Sequence, residues 1–226
     1  MDKATIRMGV VGAGAFASRR HIPDMQSNGE VEVVGICRRD PEQLGIVADH
    51  FGVNGRYTEY QQMLEDASMD AVLVATPHAL HYSQARAALE RGLHVLLEKP
   101  MALEPSEAEN LIGLSEKSGL VLAVALNPPF WKHTQFARET IHDGLIGDLE
   151  AVSISWLGNV EAVFGKTELP EVMPGVVKPT LYRGDSALGG GGHFMDLGSH
   201  LVSELLWVTG SLPVAVSAQM DEPVLD

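Results

Sequence analysis

Residues Met8–Ala17 read MGVVGAGAFA. An apolar run of the kind that forms a buried strand ends in Gly12-Ala13-Gly14, and a helical pattern starts directly after it. In a strand–turn–helix setting, Gly-x-Gly-x-x-Ala is a dinucleotide-binding fingerprint. Gly12 allows the tight turn. Gly14 lets backbone come close to a pyrophosphate, because a Cβ there would collide with it. Ala17 is small enough for the helix to pack on the strand. Phe16 falls in the first helical turn and is counted with the cofactor contacts, since that turn offers free N–H groups and a partial positive charge to phosphates. The competing reading is a glycine-rich turn with no ligand. The strand immediately before the turn favours the nucleotide.

Outward from this stretch, strand and helix signals alternate. Strands are predicted at Ile6–Val11, Val31–Cys37, Asp70–Ala75, His94–Leu97 and Leu120–Leu126. Helices are predicted at Phe16–Ser27, Pro41–Phe51, Tyr60–Glu65, Leu80–Arg91, Pro105–Lys117 and Phe130–His142. Asp40 reads as the N-cap before Pro41. The run DAVLVA is continuous and apolar, as a strand covered on both faces must be. Repeated β-α-β with short links implies a doubly wound parallel sheet that takes ligands beyond the carboxyl ends of its strands. The expected domains are residues 1–126, binding NAD(P), and residues 127–226, an α+β domain for substrate and oligomer contacts. After Gly147 the pattern changes. Leu149–Leu157 alternates like a half-exposed antiparallel strand, Phe194–Val208 is a helical run and Val214–Met220 a strand. Two strands and one helix make a thin layer, so a further C-terminal part of this domain is expected outside the given chain.

Composition narrows the function. With 226 residues and 45% hydrophobic content, a large core is available and a folded chain is expected. A net charge of −14 repels nucleic-acid backbones and anionic lipid, so neither is an expected partner. No stretch approaches a membrane span, no secretory signal is visible, and the single Cys37 cannot form an intrachain disulfide. A cytoplasmic protein is expected.

The second strand closes as VEVVGICRRD, Val31 to Asp40. An NAD site has an acidic residue near this point, on the ribose 2′-hydroxyl. Here Arg38 and Arg39 stand instead, and a guanidinium suits a 2′-phosphate by charge and by forked geometry. NADP is therefore expected, with NAD possible. The alternative is that both arginines are solvated surface charges.

Three further features follow in order: ATPHALH from Ala75 to His81, Glu98-Lys99-Pro100, and GGGGHFMDLGSH from Gly189 to His200. With the N-terminal glycine motif, they give the chain a resemblance to the Gfo/Idh/MocA oxidoreductases, named for glucose–fructose oxidoreductase, inositol dehydrogenase and rhizopine catabolism. The resemblance covers essentially the whole chain. It implies a dinucleotide domain followed by an α+β domain on an open, mostly antiparallel sheet, which commonly makes a homodimer or homotetramer contact. It implies hydride transfer between nicotinamide and a sugar or polyol-like alcohol/carbonyl pair. Full-length relatives are longer than this chain. Thr76, Pro77, His81, Glu98 and Lys99 match the family's cofactor side. His78 departs from its usual Asn, and Asn127-Pro128-Pro129-Phe130-Trp131 replaces a turn that often carries Arg.

Physical reasoning supports the same residues. Lys99, at a strand's carboxyl end, is placed to polarise the reacting oxygen. Asp196 and His200, four apart in a predicted helix, project from one face. His200 suits proton transfer near neutral pH, and Asp196 suits orienting it or the substrate. The bland alternatives are a surface lysine and a helix-stabilising Asp–His pair. His193, Asp196 and His200 also cluster like metal ligands, but the hydride chemistry needs no metal and the family normally lacks one, so none is expected. Asn127, Trp131, Tyr182 and His193 are the candidate substrate contacts, with Trp131 offering a ring to a sugar. The rival function is a non-catalytic NAD(P)-binding regulator of the same fold.

Overall fold

The computed structural model describes residues 5–156, 161–164, 167–168 and 171–219. It divides into two compact units, one of Met1–Leu126 with Leu157–Ser199, the other of Asn127–Trp156 with His200–Asp226.

The first unit is built on six parallel strands: β1 (Ile6–Val11), β2 (Val31–Cys37), β3 (Gly55–Tyr57), β4 (Ala71–Val74), β5 (His94–Leu97) and β6 (Leu122–Val124). Their spatial order is β3-β2-β1-β4-β5-β6, the doubly wound arrangement. Alternate side chains feed two separate apolar clusters. Val72, Val74, Val95 and Leu97 join one; Val10, Ile36, Ala71 and Leu73 join the other. This is the period of two that lets one strand serve both faces of a covered sheet. The strand order reverses between β1 and β4, so a crevice opens there at the carboxyl ends.

The connecting helices are α1 (Ile22–Ser27), α2 (Pro41–Phe51), α3 (Tyr60–Asp66), α4 (His81–Glu90) and α5 (Pro105–Ser118). The Asp40 carboxylate accepts from the Glu42 and Gln43 amides, as an N-cap should, and Gly52 closes α2 at φ +65°. Two features escaped the sequence. The edge strand β3 is only three residues long, and it begins with a glycine whose Cβ would lie 2.4 Å from the Val34 carbonyl oxygen. The helix predicted from Phe16 contains a π turn at Ala17–His21 before α1.

The segment Leu157–Ser199 contributes a short helix α7 (Ser186–Gly189) and a π turn at Phe194–Gly198. Its Val177 is buried within the second cluster, and its amide lies 3.4 Å from Ser18 Oγ. In the second unit are α6 (Lys132–His142) and most of α8 (Ser199–Thr209). The antiparallel strands expected at 149–157 and 214–220 are corrected: residues 149–156 and 214–219 carry no strand, while Leu157 and Met220 lie outside the described residues. An alternating pattern reports a side-chain period only. A strand also needs a ladder partner, and none stands beside either segment among the described residues. No described helix is long and apolar enough to cross a membrane.

Candidate active site

The crevice is a cleft of about 470 Å³. Among the predicted residues, Gly12, Gly14, Phe16, Arg38, Arg39, Thr76, Pro77 and Tyr182 line it. The glycine turn is tied to the end of β2, because the Gly12 and Ala13 amides both donate to the Cys37 carbonyl at 3.0 Å. The two glycines differ in kind. Gly12 has φ +93°, and a Cβ there would sit 2.6 Å from the Ala75 carbonyl oxygen. It is needed by the fold. Gly14 has no such constraint: its Cβ would make ordinary contacts with the far end of Arg38 at 3.4 Å and the Gly12 carbonyl oxygen at 3.9 Å. What Gly14 leaves open is cleft, where a Cβ would intrude on a ligand. Ala17 is fully buried beneath the turn, which is the close helix–strand packing expected of it. Cys37 is a neutral wall of the cleft, its thiol pushed up to about 11 by burial first and Glu59 second.

Arg38 is not a free surface charge. Its guanidinium donates to the Ala13 carbonyl at 3.2 Å and to the Gln43 side chain. Those bonds hold it beside the glycine turn, at the β2 end of the cleft. Arg39 is exposed and lines the same end. The glycine cradle fits a dinucleotide, with the Arg38 guanidinium held beside it.

At the other end, the Thr76 hydroxyl bonds Gln84 Oε1 at 2.6 Å. His81 was expected at the cofactor. It is instead fully buried, with its ring nitrogens 2.7 Å and 2.8 Å from the carbonyls of Pro100 and Thr76. It braces the Thr-Pro turn against the Lys-Pro turn. Burial lowers its pKa, against the pull of the two carbonyls.

Lys99 and Asp196, 97 residues apart in sequence, meet within this unit. Lys99 Nζ donates to Asp196 Oδ1 at 2.8 Å and to its carbonyl at 2.6 Å. The Lys99 side chain is only 11% exposed, unlike a lysine left on the surface after a strand. Arg183 Nε donates to the other Asp196 oxygen at 2.9 Å. Burial alone would raise the Asp196 carboxyl, but Arg183 and Lys99 hold it below the usual carboxylate range. His78 stands beside the cluster, with Nδ1 2.9 Å from the Gly189 carbonyl and Nε2 3.2 Å from the Tyr182 hydroxyl.

Glu98 does not line the cleft. Its Oε1 accepts from His21 Nε2 at 2.6 Å, and its Oε2 accepts from the Lys99 amide at 3.1 Å. Burial would raise this carboxyl, but the His21 bond and charge hold it low. His21 ends the first π turn, and Asp196 lies in the second. Each widened turn thus carries a residue of one network, and such π turns are frequent at functional sites.

His200 belongs to the second unit, where its ring stacks on Trp156 at 5.6 Å. Trp156 stacks in turn on Trp131 at 5.4 Å and donates its indole N–H to the buried Glu204. Trp131, expected to offer a ring to a sugar, is therefore packed in an aromatic column. Asn127 caps a short 3-10 turn through its carbonyl. His193 is exposed, with its ring 6.0 Å from Phe164.

Sequence reasoning missed His21, Gln43 and Gln84. Gln43 had a local signal, the third position of a helix capped by Asp40. His21 had none, since no spacing rule links it to Glu98.

The profile of the Gfo/Idh/MocA oxidoreductase family, NAD-binding Rossmann fold, matches residues 6–126, and the profile of the Gfo/Idh/MocA C-terminal domain matches 134–225. The chain is similar to a D-glucoside 3-dehydrogenase of Escherichia coli K12, 28% identical over 93% of the chain and 56% of that protein. It is also similar to a dTDP-3,4-didehydro-2,6-dideoxy-alpha-D-glucose 3-reductase of Saccharopolyspora spinosa, 34% identical over 85% and 53%. Among solved structures it resembles the WlbA dehydrogenase of Bordetella pertussis, crystallised with NADH and UDP-GlcNAcA, at a TM-score of 0.77 and 27% identity over 92% and 58%. The chain spans little more than half the length of these relatives.

Proposed function

Since the chain belongs to the Gfo/Idh/MocA oxidoreductase family, we propose that it works in NADP-dependent interconversion of an alcohol and a carbonyl on a sugar or polyol. The reading is carried by the buried Lys99–Asp196 pair, which lies in the same unit as the glycine-turn cleft. When bound, the nicotinamide supplies the hydride acceptor or donor. The chain's own residues bind, orient and manage the proton. Gly12 and Gly14 shape the pyrophosphate cradle, and Phe16 and Ala17 belong to the helix that begins there. Arg38 and Arg39 receive the 2′-phosphate. Thr76 and Pro77 wall the nicotinamide end, with His81 and Glu98 bracing it from beneath. Lys99 Nζ polarises the reacting oxygen, and Asp196 and Arg183 fix where that ammonium points. His200 is assigned the proton transfer. Asn127, Trp131, Tyr182 and His193 are the substrate-side candidates. Dinucleotide binding is assigned to residues 1–126, and substrate and subunit contacts to 127–226.

Lys99→Met tests the assignment. It should lower kcat by about 10²- to 10³-fold, as loss of one charge-stabilising donor does, while the Kd for NADPH stays nearly unchanged. Retained turnover in this variant would defeat it.

A further inference from the structure

Tyr182 stands where the cleft wall meets the buried cluster around Asp196. The direction of its hydrogen bond can be worked out from its neighbours. His78 is 2% exposed, and its Nδ1 lies 2.9 Å from the Gly189 carbonyl oxygen, which can only accept. Nδ1 therefore holds the proton, and Nε2 of the neutral ring holds a lone pair. The Tyr182 hydroxyl, 3.2 Å from Nε2, must donate to it. Asp196 Oδ1, 3.6 Å from the same nitrogen, pulls the ring toward its cation, but burial is the larger effect and keeps the ring neutral. Burial pushes the His78 ring down to about 4 and the Tyr182 phenol up to about 12, so both keep these protonation states near neutral pH.

A phenol carries one donor and acceptor lone pairs. With its proton given to His78, the Tyr182 oxygen retains accepting capacity only. Its ring plane is fixed as well, by edge contact with His78 at 5.2 Å and by the Arg183 guanidinium 4.7 Å over its face. We propose that Tyr182 is an oriented hydrogen-bond acceptor for a ligand hydroxyl in the cleft, and that His78 is its positioning residue. The hydroxyl comes from a dinucleotide ribose or from the sugar. The inference deepens the proposed function and rests on it. It also gives a role to His78, the residue that departs from the family's usual Asn. An amide can donate as well as accept, so Asn at this position leaves the phenol's polarity unset.

The test has a ligand-free arm and a ligand arm, both on the full chain. Imidazole ¹⁵N spectra at pH 7 should give His78 as the neutral Nδ1–H tautomer. The opposite tautomer, or a cationic ring, overturns the proposal. In the ligand arm, Tyr182→Phe should raise either the Kd for NADPH or the KM for a sugar probe (D-glucose, D-xylose or myo-inositol) about three- to tenfold, the effect of one hydrogen bond. A change in Kd assigns the hydroxyl to the dinucleotide, and a change in KM alone assigns it to the sugar. His78→Asn should show part of the same effect, and none beyond it when added to Tyr182→Phe. An additive double variant removes His78 from the proposal, and a Tyr182→Phe protein with both constants unchanged overturns it. Wild type that binds no NADPH while keeping the Nδ1–H tautomer marks failure of the parent reading instead, and the ligand role falls with it.

Discussion

Arg38 shows what a residue's type can foretell and what its surroundings add. Its guanidine chemistry and place after β2 suggested a 2′-phosphate, and the bonds to Ala13 and Gln43 hold it beside the glycine turn. Arg38→Ala should reduce the preference for NADPH over NADH about 10- to 100-fold, the worth of charge-assisted hydrogen bonds to one phosphate. An unchanged ratio of the two Kd values rejects the role. His78 makes a different prediction. Its folded pKa of about 4 lies below the ordinary value of 6.5. Between those values the unfolded chain binds more protons than the folded one, so stability rises with pH across that window and is lost as the solution is acidified toward pH 4. The group's share is about 3 kcal/mol between pH 7 and pH 4. Urea unfolding should show this slope in wild type and a flatter one in His78→Asn; equal slopes contradict the neutral buried ring. Lys99 and Asp196 were recognisable by motif. Their mutual bond was not, because contact across 97 residues depends on how the returning segment packs.

Elements were legible where a period and a cap agreed. Helix α2 lies between Asp40 and Gly52 as the sequence indicates, and β1 and β2 have the predicted bounds. Strand β3 escaped because three residues starting with glycine carry too little pattern. The two segments after Gly147 escaped for the opposite reason: their alternation was clear, but pairing is a property of two strands. The π turns were invisible because the apolar spacing around them still reads as α-helix. The first has an energetic consequence. It delivers His21 to a Glu98 side chain that is only 13% exposed. Removing the donor leaves a largely buried carboxylate short of a partner, at a cost of about 1–3 kcal/mol. His21→Leu should therefore unfold at lower urea near neutral pH, and its deficit should shrink as the pH falls through the ordinary carboxylate value, where protonation of Glu98 removes the unpaired charge. A midpoint equal to wild type means the turn serves packing alone.

At the scale of the whole molecule, the chain combines a sheet covered on both faces with a second unit that leaves several large apolar residues open. Phe136 is 70% exposed and Leu212 83%. The cleft and the Lys99–Asp196 pair both lie in the first unit. The central claim there is that the glycine turn is a ligand site and not only a turn. Gly14 separates the two readings, because a Cβ at this position makes only ordinary contacts with the protein, whereas a bound pyrophosphate would collide with it. The deciding measurement is the NADPH Kd of Gly14→Val beside wild type, with Tm as the control for folding. The account requires a Kd at least about tenfold weaker, roughly 1.4 kcal/mol, at a Tm close to wild type. Equal NADPH binding by a normally folded Gly14→Val protein would contradict it.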